Sequence, residues 1–294
     1  MPLKELIVSS DAAGQKITDF LRNVSPNLPE SVIRQIFTAR DIRIDGVRVS
    51  RDQTLQAGQV LKIWLPEAYA YGMSSAPAPD IIYEDSDVLL VNKRSGISVE
   101  ADARGGTTLT DLCAAYVARK TPDAFPPAAC HRLDNQTCGL CLFAKTPQAL
   151  DILQDVFRSR TLEKYYICLV RGIMKPPKAV CRAWLIKDAR LARVRITDHP
   201  EPGARPIVTG YETLESGTVS RLRVHLITGR THQIRAHLAA LGHPVLGDDL
   251  YGDREFNRRE KARSLKLCAV SLRLDTGGRI PGLDGRLFSV EPPF

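Results

Sequence analysis

The chain has 294 residues, 44% of them apolar and 25% charged, with 41 Lys and Arg against 33 Asp and Glu. That balance excludes a disordered chain, which needs low hydrophobicity, and no apolar run reaches the 18 residues of a membrane-crossing helix. The net charge of +8 favours a polyanionic partner.

The length predicts two domains, or one large domain with an appendage. In the first, residues 1–65, KITDFLRNV (16–24) has Ile17, Phe20 and Leu21 at helical spacing, and Pro29-Glu30-Ser31 opens a second helix with Ile33, Ile36 and Phe37 on one face. IRIDGVRV (42–49) alternates around Asp45-Gly46, a hairpin signal, and AGQVLKIW (57–64) reads as a further strand. Residues 66–79 are rich in Pro, Ala, Ser and Gly and read as a linker. The second domain, 80–294, opens with two short strands in DIIYEDSDVLLVNK (80–93) and a helix over 107–120. CGLCLFAK (138–145) and YYICLVRG (165–172) are apolar runs of strand length around a helical stretch at 149–160. Residues 205–216 and 220–229 pair as strands, 231–242 is a short helix closed by Gly242, and 254–266 reads as helical surface.

Charge is uneven. Arg158 to Arg195 holds eleven Lys and Arg against Glu163 and Asp188. Such a run is a solvated face or a phosphate-contacting surface, since clustered cations release counterions from nucleic acid. Seven cysteines, an odd number, and an opening MPLKELIVSSDAAGQ without a signal-peptide core predict free thiols in an intracellular, cytoplasmic protein. The chain has no GxxxxGK[ST], GxGxxG or HExxH motif. Cys138 and Cys141 have CxxC spacing beside Cys130 and His131, but a second metal-binding pair is missing. Buried small hydrophobes account for them better than zinc.

Two segments carry the chemistry. AACHRLDNQTCGLCLFAK (128–145) sets Asp134 in a polar loop before an apolar strand, where an acid is a turn residue or a reactive carboxylate. HLITGRTHQIRAHLAALGHPVLGDDLYG (225–252) is dense in Arg, His, Thr and Gly. Together they resemble the RluA family of pseudouridine synthases. His131 to Leu140 follows its His-Arg-Leu-Asp-x-x-Thr-Ser-Gly-Leu motif, and Thr228 to His237 its Thr-Gly-Arg-x-His-Gln-Ile-Arg-x-His motif. Lys164, Tyr166, Val170 and Gly172 meet the Lys-x-Tyr-x-Ala-x-Val-x-Gly motif between them, and Gly242 to Asp248 extends the last. The N-terminal block resembles an S4 RNA-binding domain. The chain departs from the pattern at Cys138 (usually Ser), Arg94 (in the usual Lys-Pro), Cys168 (Ala), Cys268 (His) and Arg40 (Gly).

The resemblance implies an α+β fold, a small S4-like α/β domain followed by a catalytic domain on a largely antiparallel mixed sheet. It implies isomerisation of uridine to pseudouridine in structured RNA, which needs no cofactor and no metal. The target base must leave its stack. Asp134 is then the essential carboxylate, attacking C1′ or C6 or removing a ribose proton, with Arg235 as its ion-pair partner. Tyr166 offers a ring to the flipped base and a hydroxyl for the C5 proton. Arg132 fills the vacated place. Lys164 and Arg230 contact phosphate, and His232 and Gln233 hold the loop or the Asp134 arrangement within this RNA-binding set. His131 is expected to be a structural loop histidine. Ribosomal RNA is the expected partner ahead of transfer RNA, with a monomeric enzyme and no membrane. A non-catalytic S4-type RNA-binding protein is the alternative of a different class.

Overall fold

A computed structural model describes residues 3–8, 12–24, 28–65, 79–101, 108–121, 124–188 and 193–294. The expected linker lies outside the described residues except for Pro79. The chain divides into two compact units, 1–80 with 97–128, and 81–96 with 129–294. The expected division at residues 65 and 80 follows the chain; the units do not, because 97–128 groups with the N-terminal residues.

The first unit begins with β1 (Leu3–Ile7), α1 (Ile17–Val24) and α2 (Glu30–Thr38), then β2 (Ile42–Ile44), β3 (Val47–Val49) and β4 (Val60–Trp64). The strands form one sheet in the order β1-β4-β2-β3. Ile17, Leu21, Val32, Ile33, Ile36, Ile42, Leu61 and Ile63 fill its core, the helical and alternating positions that the pattern marks. Asp45 and Gly46 both have positive φ, 48° and 85°, as the tight hairpin requires. Arg40, at a position usually Gly in the resembled family, also takes positive φ, 57°. The backbone demand for glycine is thus present and met by a strained residue. β1 was not expected from five residues, and it pairs antiparallel along all of β4. The same unit holds α3 (Leu109–Lys120), opened by a Thr108–Asp111 capping box.

The second unit contains β5 (Ile81–Glu84), β6 (Val88–Lys93), β7 (Ala128–Ala129), β8 (Cys138–Ala144), α4 (Pro147–Ser159) and β9 (Leu162–Arg171). Then come β10 (Lys178–Asp188), β11 (Arg193–Thr197), β12 (Arg205–Glu215), β13 (Val219–Leu226), α5 (Gln233–Ala240), α6 (Arg254–Arg259), β14 (Leu267–Leu274) and β15 (Leu287–Ser289). The sheet runs β11-β10-β12-β13-β9-β14-β8-β6-β5, with β15 on β14 and β7 on β8. Along that path the strand pairs are antiparallel except β8 with β14, which is parallel. The expected mixed, largely antiparallel sheet is what forms.

Where β8 meets β14 the backbones approach closely. A Cβ on Gly139 would lie 2.2 Å from the Ala269 carbonyl oxygen, and Gly139 has φ +107°, so only glycine fits. Two departures from the family pattern face each other here, because Cys138 and Cys268 are register partners. Cys141 pairs instead with Val91 of β6. The CxxC pair is therefore split between two strand neighbours, and both residues are buried.

The basic run 158–195 is not one surface. It passes from α4 through β9 and β10 into β11, and strand alternation sends its side chains to opposite faces. Along β10, Lys178 and Arg182 are exposed while Leu185 is buried. The expected helical surface at 254–266 is helical only over α6, capped by Asp253, and Lys261 at φ 52° ends it.

Candidate active site

Asp134 sits in the loop before β8, where its own carbonyl accepts the Thr137 N–H at 3.0 Å and closes a turn. The turn is made by the Asp134 backbone and does not occupy its side chain. Arg235 reaches it from the first turn of α5, with Nη1 3.1 Å from Asp134 Oδ2. The other carboxylate oxygen, Oδ1, faces His232 Nε2 at 3.9 Å.

Arg235 is 5% exposed and held from behind. Its Nε and Nη2 donate to the two oxygens of Asp248 at 2.7 and 2.8 Å, a bidentate pair. Asp248 is itself 1% exposed and accepts the backbone N–H groups of Leu250 and Tyr251 at 2.8 and 3.0 Å. Burial raises the Asp248 carboxyl, but the Arg235 hydrogen bonds and charge outweigh it and hold the pKa below the usual carboxylate range. Burial likewise lowers the Arg235 guanidinium, and its two carboxylate partners more than reverse this.

The loop that presents α5 is fixed by Gln233. Its Oε1 accepts from Thr228 Oγ1 at 2.8 Å and from the Arg230 N–H at 3.1 Å. Its Nε2 donates to the Val208 carbonyl at 3.1 Å and to Thr209 Oγ1 at 3.0 Å. An amide has four such hydrogen bonds to make, so Gln233 is saturated by the protein. These four bonds tie it to the loop. His232, the N-cap of α5, has φ 53° in the left-handed region, a strained conformation for a non-glycine residue.

Tyr166 lies in β9, paired with Val224 of β13 and Ala269 of β14. It is 5% exposed. Burial pushes its hydroxyl pKa well up, and the nearby Asp134 carboxylate adds to the rise, so the hydroxyl is protonated at neutral pH. Lys164, two residues earlier on the same face of the strand, is half-buried, and burial pushes its pKa down to about 8. Its Nζ lies 3.3 Å from where a Cβ on Gly229 would sit, which puts the ammonium beside the Thr228–Arg230 loop. Arg132 and Arg230 are exposed. His131 stacks on Phe157 with ring centroids 4.9 Å apart, and its Nε2 accepts the Leu142 N–H at 3.2 Å. Burial and the Lys164 charge push its pKa down to about 3, so it is the structural loop histidine the sequence implies.

Sequence reasoning missed Lys93, Asp248 and Tyr251. Lys93 ends β6 and is 1% exposed, and its Nζ donates to the carbonyls of Asn135 and Arg94 at 2.8 and 3.0 Å. Burial lowers its pKa to about 8, against the opposing pull of Cys141, Cys138 and Asp134. The signal was a lysine ending the apolar run VLLVNK. For the other two it was the turn Gly247-Asp248-Asp249-Leu250-Tyr251-Gly252. A Cβ on Gly247 would lie 1.9 Å from the Ser264 carbonyl oxygen, and one on Gly252 2.0 Å from that of Asp248.

The structure brings Asp134, Arg235 and His232 into one constellation, with Tyr166 near enough for its hydroxyl to feel the Asp134 charge. Among the described residues no group of three His, Cys, Asp or Glu is arranged to hold a metal ion. A partly exposed carboxylate backed by a cation suits a nucleophile or base. A nearly buried aromatic ring beside it suits a planar ligand.

Residues 87–240 match the family model described as RNA pseudouridylate synthase. The chain is 35% identical to the ribosomal large subunit pseudouridine synthase C of Vibrio cholerae, over 85% of this chain and 81% of that one. It is 32% identical to the protein of the same name in Salmonella typhimurium, over 99% and 93%. Human RNA pseudouridylate synthase domain containing 4 has the same fold, with a TM-score of 0.60 at 24% identity over 72% of this chain and 88% of that one.

Proposed function

The chain belongs to the RNA pseudouridylate synthase family and isomerises uridine to pseudouridine in RNA, and we propose that its substrate is ribosomal RNA with Asp134 as the essential carboxylate. The ribosomal substrate is carried over from the relatives' names. One observation carries the assignment of Asp134: within the matched segment it is the carboxylate that meets the buried Arg235 guanidinium, 101 residues away in sequence.

The reaction breaks the N1–C1′ bond and joins C5 to C1′; C5 loses a proton and N1 gains one, so the product is an isomer and no group donor enters. The uridine first leaves its stack, at a cost of a few kcal/mol that is smaller for an unpaired base. Arg132 occupies the vacated place, its planar guanidinium stacking and pairing with phosphate. The ring of Tyr166 receives the flipped base. Lys164 and Arg230 hold backbone phosphate, contacts that position without specifying. Residues 1–65 act as an S4-like RNA-binding module, a role supported by two helices and a small basic sheet carrying Arg43, Arg48 and Lys62. Helices long and apolar enough to cross a membrane are absent among the described residues. A cytoplasmic site of action is carried over with the ribosomal substrate from the relatives' names. We take the enzyme to be a monomer.

The test is pseudouridine mapping of total RNA by carbodiimide-stop sequencing, in a deletion strain complemented with wild type or Asp134→Asn. A ribosomal site restored by wild type and not by Asp134→Asn is the expected outcome. A dependent site confined to transfer RNA overturns the substrate assignment. A site restored equally by both overturns the role of Asp134.

A further inference from the structure

The Gly247–Gly252 turn supplies two side chains to the site. Asp248 holds Arg235, as described. Tyr251, three residues on, does not contact Asp134, yet its hydrogen bonds decide how His232 meets that carboxylate.

The Val194 N–H donates to the Tyr251 hydroxyl oxygen at 2.9 Å. That oxygen also lies 2.9 Å from His232 Nδ1. If the tyrosine donates there, Nδ1 accepts and carries no hydrogen. A neutral imidazole must then hold its proton on Nε2, the nitrogen that faces Asp134 Oδ1. The opposite arrangement, Nδ1–H donating to Tyr251, is disfavoured because it aims the Nε2 lone pair at a carboxylate. Burial favours the neutral ring by pushing its pKa below the ordinary value, and Arg235 acts the same way, against Asp134, Asp248 and Asp249.

We propose that Tyr251 is a positioning residue for the isomerisation: it fixes His232 as the Nε2–H tautomer and aims that N–H at the carboxylate oxygen that Arg235 leaves open. This rests on reading Asp134 as the essential carboxylate. At 3.9 Å the N–H is a directed dipole and not yet a hydrogen bond. The tyrosine ring braces both donors, edge-on to His232 at 5.6 Å between centroids and 5.4 Å from the Arg235 guanidinium carbon. Its backbone N–H goes to Asp248. The strained φ of His232 lies at the residue whose ring meets Asp134, where such strain is stored for function.

The experiment uses the full-length chain labelled with nitrogen-15. Two-bond proton–nitrogen correlation reads the tautomer of each of the six histidines, and His232 is assigned by the signal lost in His232→Gln. The wild type should show Nε2–H, and Tyr251→Phe should shift His232 toward Nδ1–H. Single-turnover pseudouridine formation should fall about tenfold in Tyr251→Phe, the size of one hydrogen bond to a functional group, with RNA affinity within about twofold. In a His232→Ala background the same change should cost less than about twofold, because coupled residues are not additive. An Nδ1–H tautomer in the wild type, or equal costs in both backgrounds, overturns the proposal. A folded wild type that forms no pseudouridine overturns the parent reading and is distinguishable, since the tautomer is read without activity.

Discussion

Replacing Arg235 by Met tests the charge arrangement behind the site. Asp248, 1% exposed, would keep only two backbone N–H partners. Removing one member of a buried ion pair costs about 3–5 kcal/mol, chiefly because the other charge is left uncompensated. That is a large part of the roughly 5–15 kcal/mol that holds a domain folded. The pH dependence has a definite sign. In the wild type the folded Asp248 pKa is lowered, so its contribution is present above the ordinary carboxyl range and is lost as pH falls through the lowered value. Without Arg235, burial is opposed only by the two backbone N–H bonds, so the folded pKa moves up from its wild-type position. The folded variant then takes up a proton at a higher pH than the folded wild type does, and its deficit shrinks as pH falls. Arg235→Met with Asp248→Leu removes both charges and should recover most of the stability, but no activity, because Asp134 still lacks its donor. The assay is urea denaturation followed by Trp184 fluorescence in a Trp64→Phe background, since these are the two tryptophans. The midpoints convert to free energies through the urea slope. A double variant no more stable than Arg235→Met, or a deficit that does not change with pH, refutes the reasoning.

Tyr166→Phe keeps the ring and removes the hydroxyl; if that hydroxyl handles the C5 proton, single-turnover rate falls about 10²-fold with RNA affinity unchanged, whereas an unchanged rate restricts Tyr166 to stacking. Gly247→Ala and Gly203→Ala start from nearly equal φ, +77° and +79°, but only Gly247 meets backbone, at 1.9 Å. The left-handed conformation costs each about 1–2 kcal/mol, and overpacking adds about 1–3 kcal/mol to Gly247→Ala alone, so equal urea midpoints would contradict the close approach. Lys93 has its pKa lowered by burial to about 8, so folding is penalised while the group is charged. Stability from this source should rise as pH climbs from 8 toward the ordinary lysine value and be flat below 8, and Lys93→Met should lack that rise. A wild type and a Lys93→Met variant with parallel stability–pH curves would show that the ammonium is not desolvated.

Helix and strand positions were legible where the signal is local. The 3.6-residue spacing of Ile17, Phe20 and Leu21 and the Asp45-Gly46 turn needed no tertiary context, because periodicity and turn chemistry act within a few residues. β10 was not legible. Its alternation is broken by Val180, apolar yet exposed between Lys178 and Arg182, and its pairing partners, β11 and β12, come later in the chain. Ordered motifs pointed to Asp134, Tyr166 and Arg235 and to the reaction class, and the fold sets Arg235 against Asp134. The same motifs expected Gln233 to hold the loop or the Asp134 arrangement, but its four partners come together only in the fold.

The sequence by itself determined the reaction class, through the motifs that carry its resemblance to a family, and most of the local elements, through residue types at short spacings. Only the tertiary structure decided which charges share the site. Asp134 and Arg235 meet across 101 positions, Lys93 reaches Asn135 across 42, and Tyr251 takes the Val194 N–H across 57. Those distances are set by sheet register and by the close approach of β8 to β14. Burial then sorts the ionisable groups. It forces Arg235 and Asp248 to pair, and it holds Lys93 and His232 toward their neutral forms by excluding the water that would stabilise their charges.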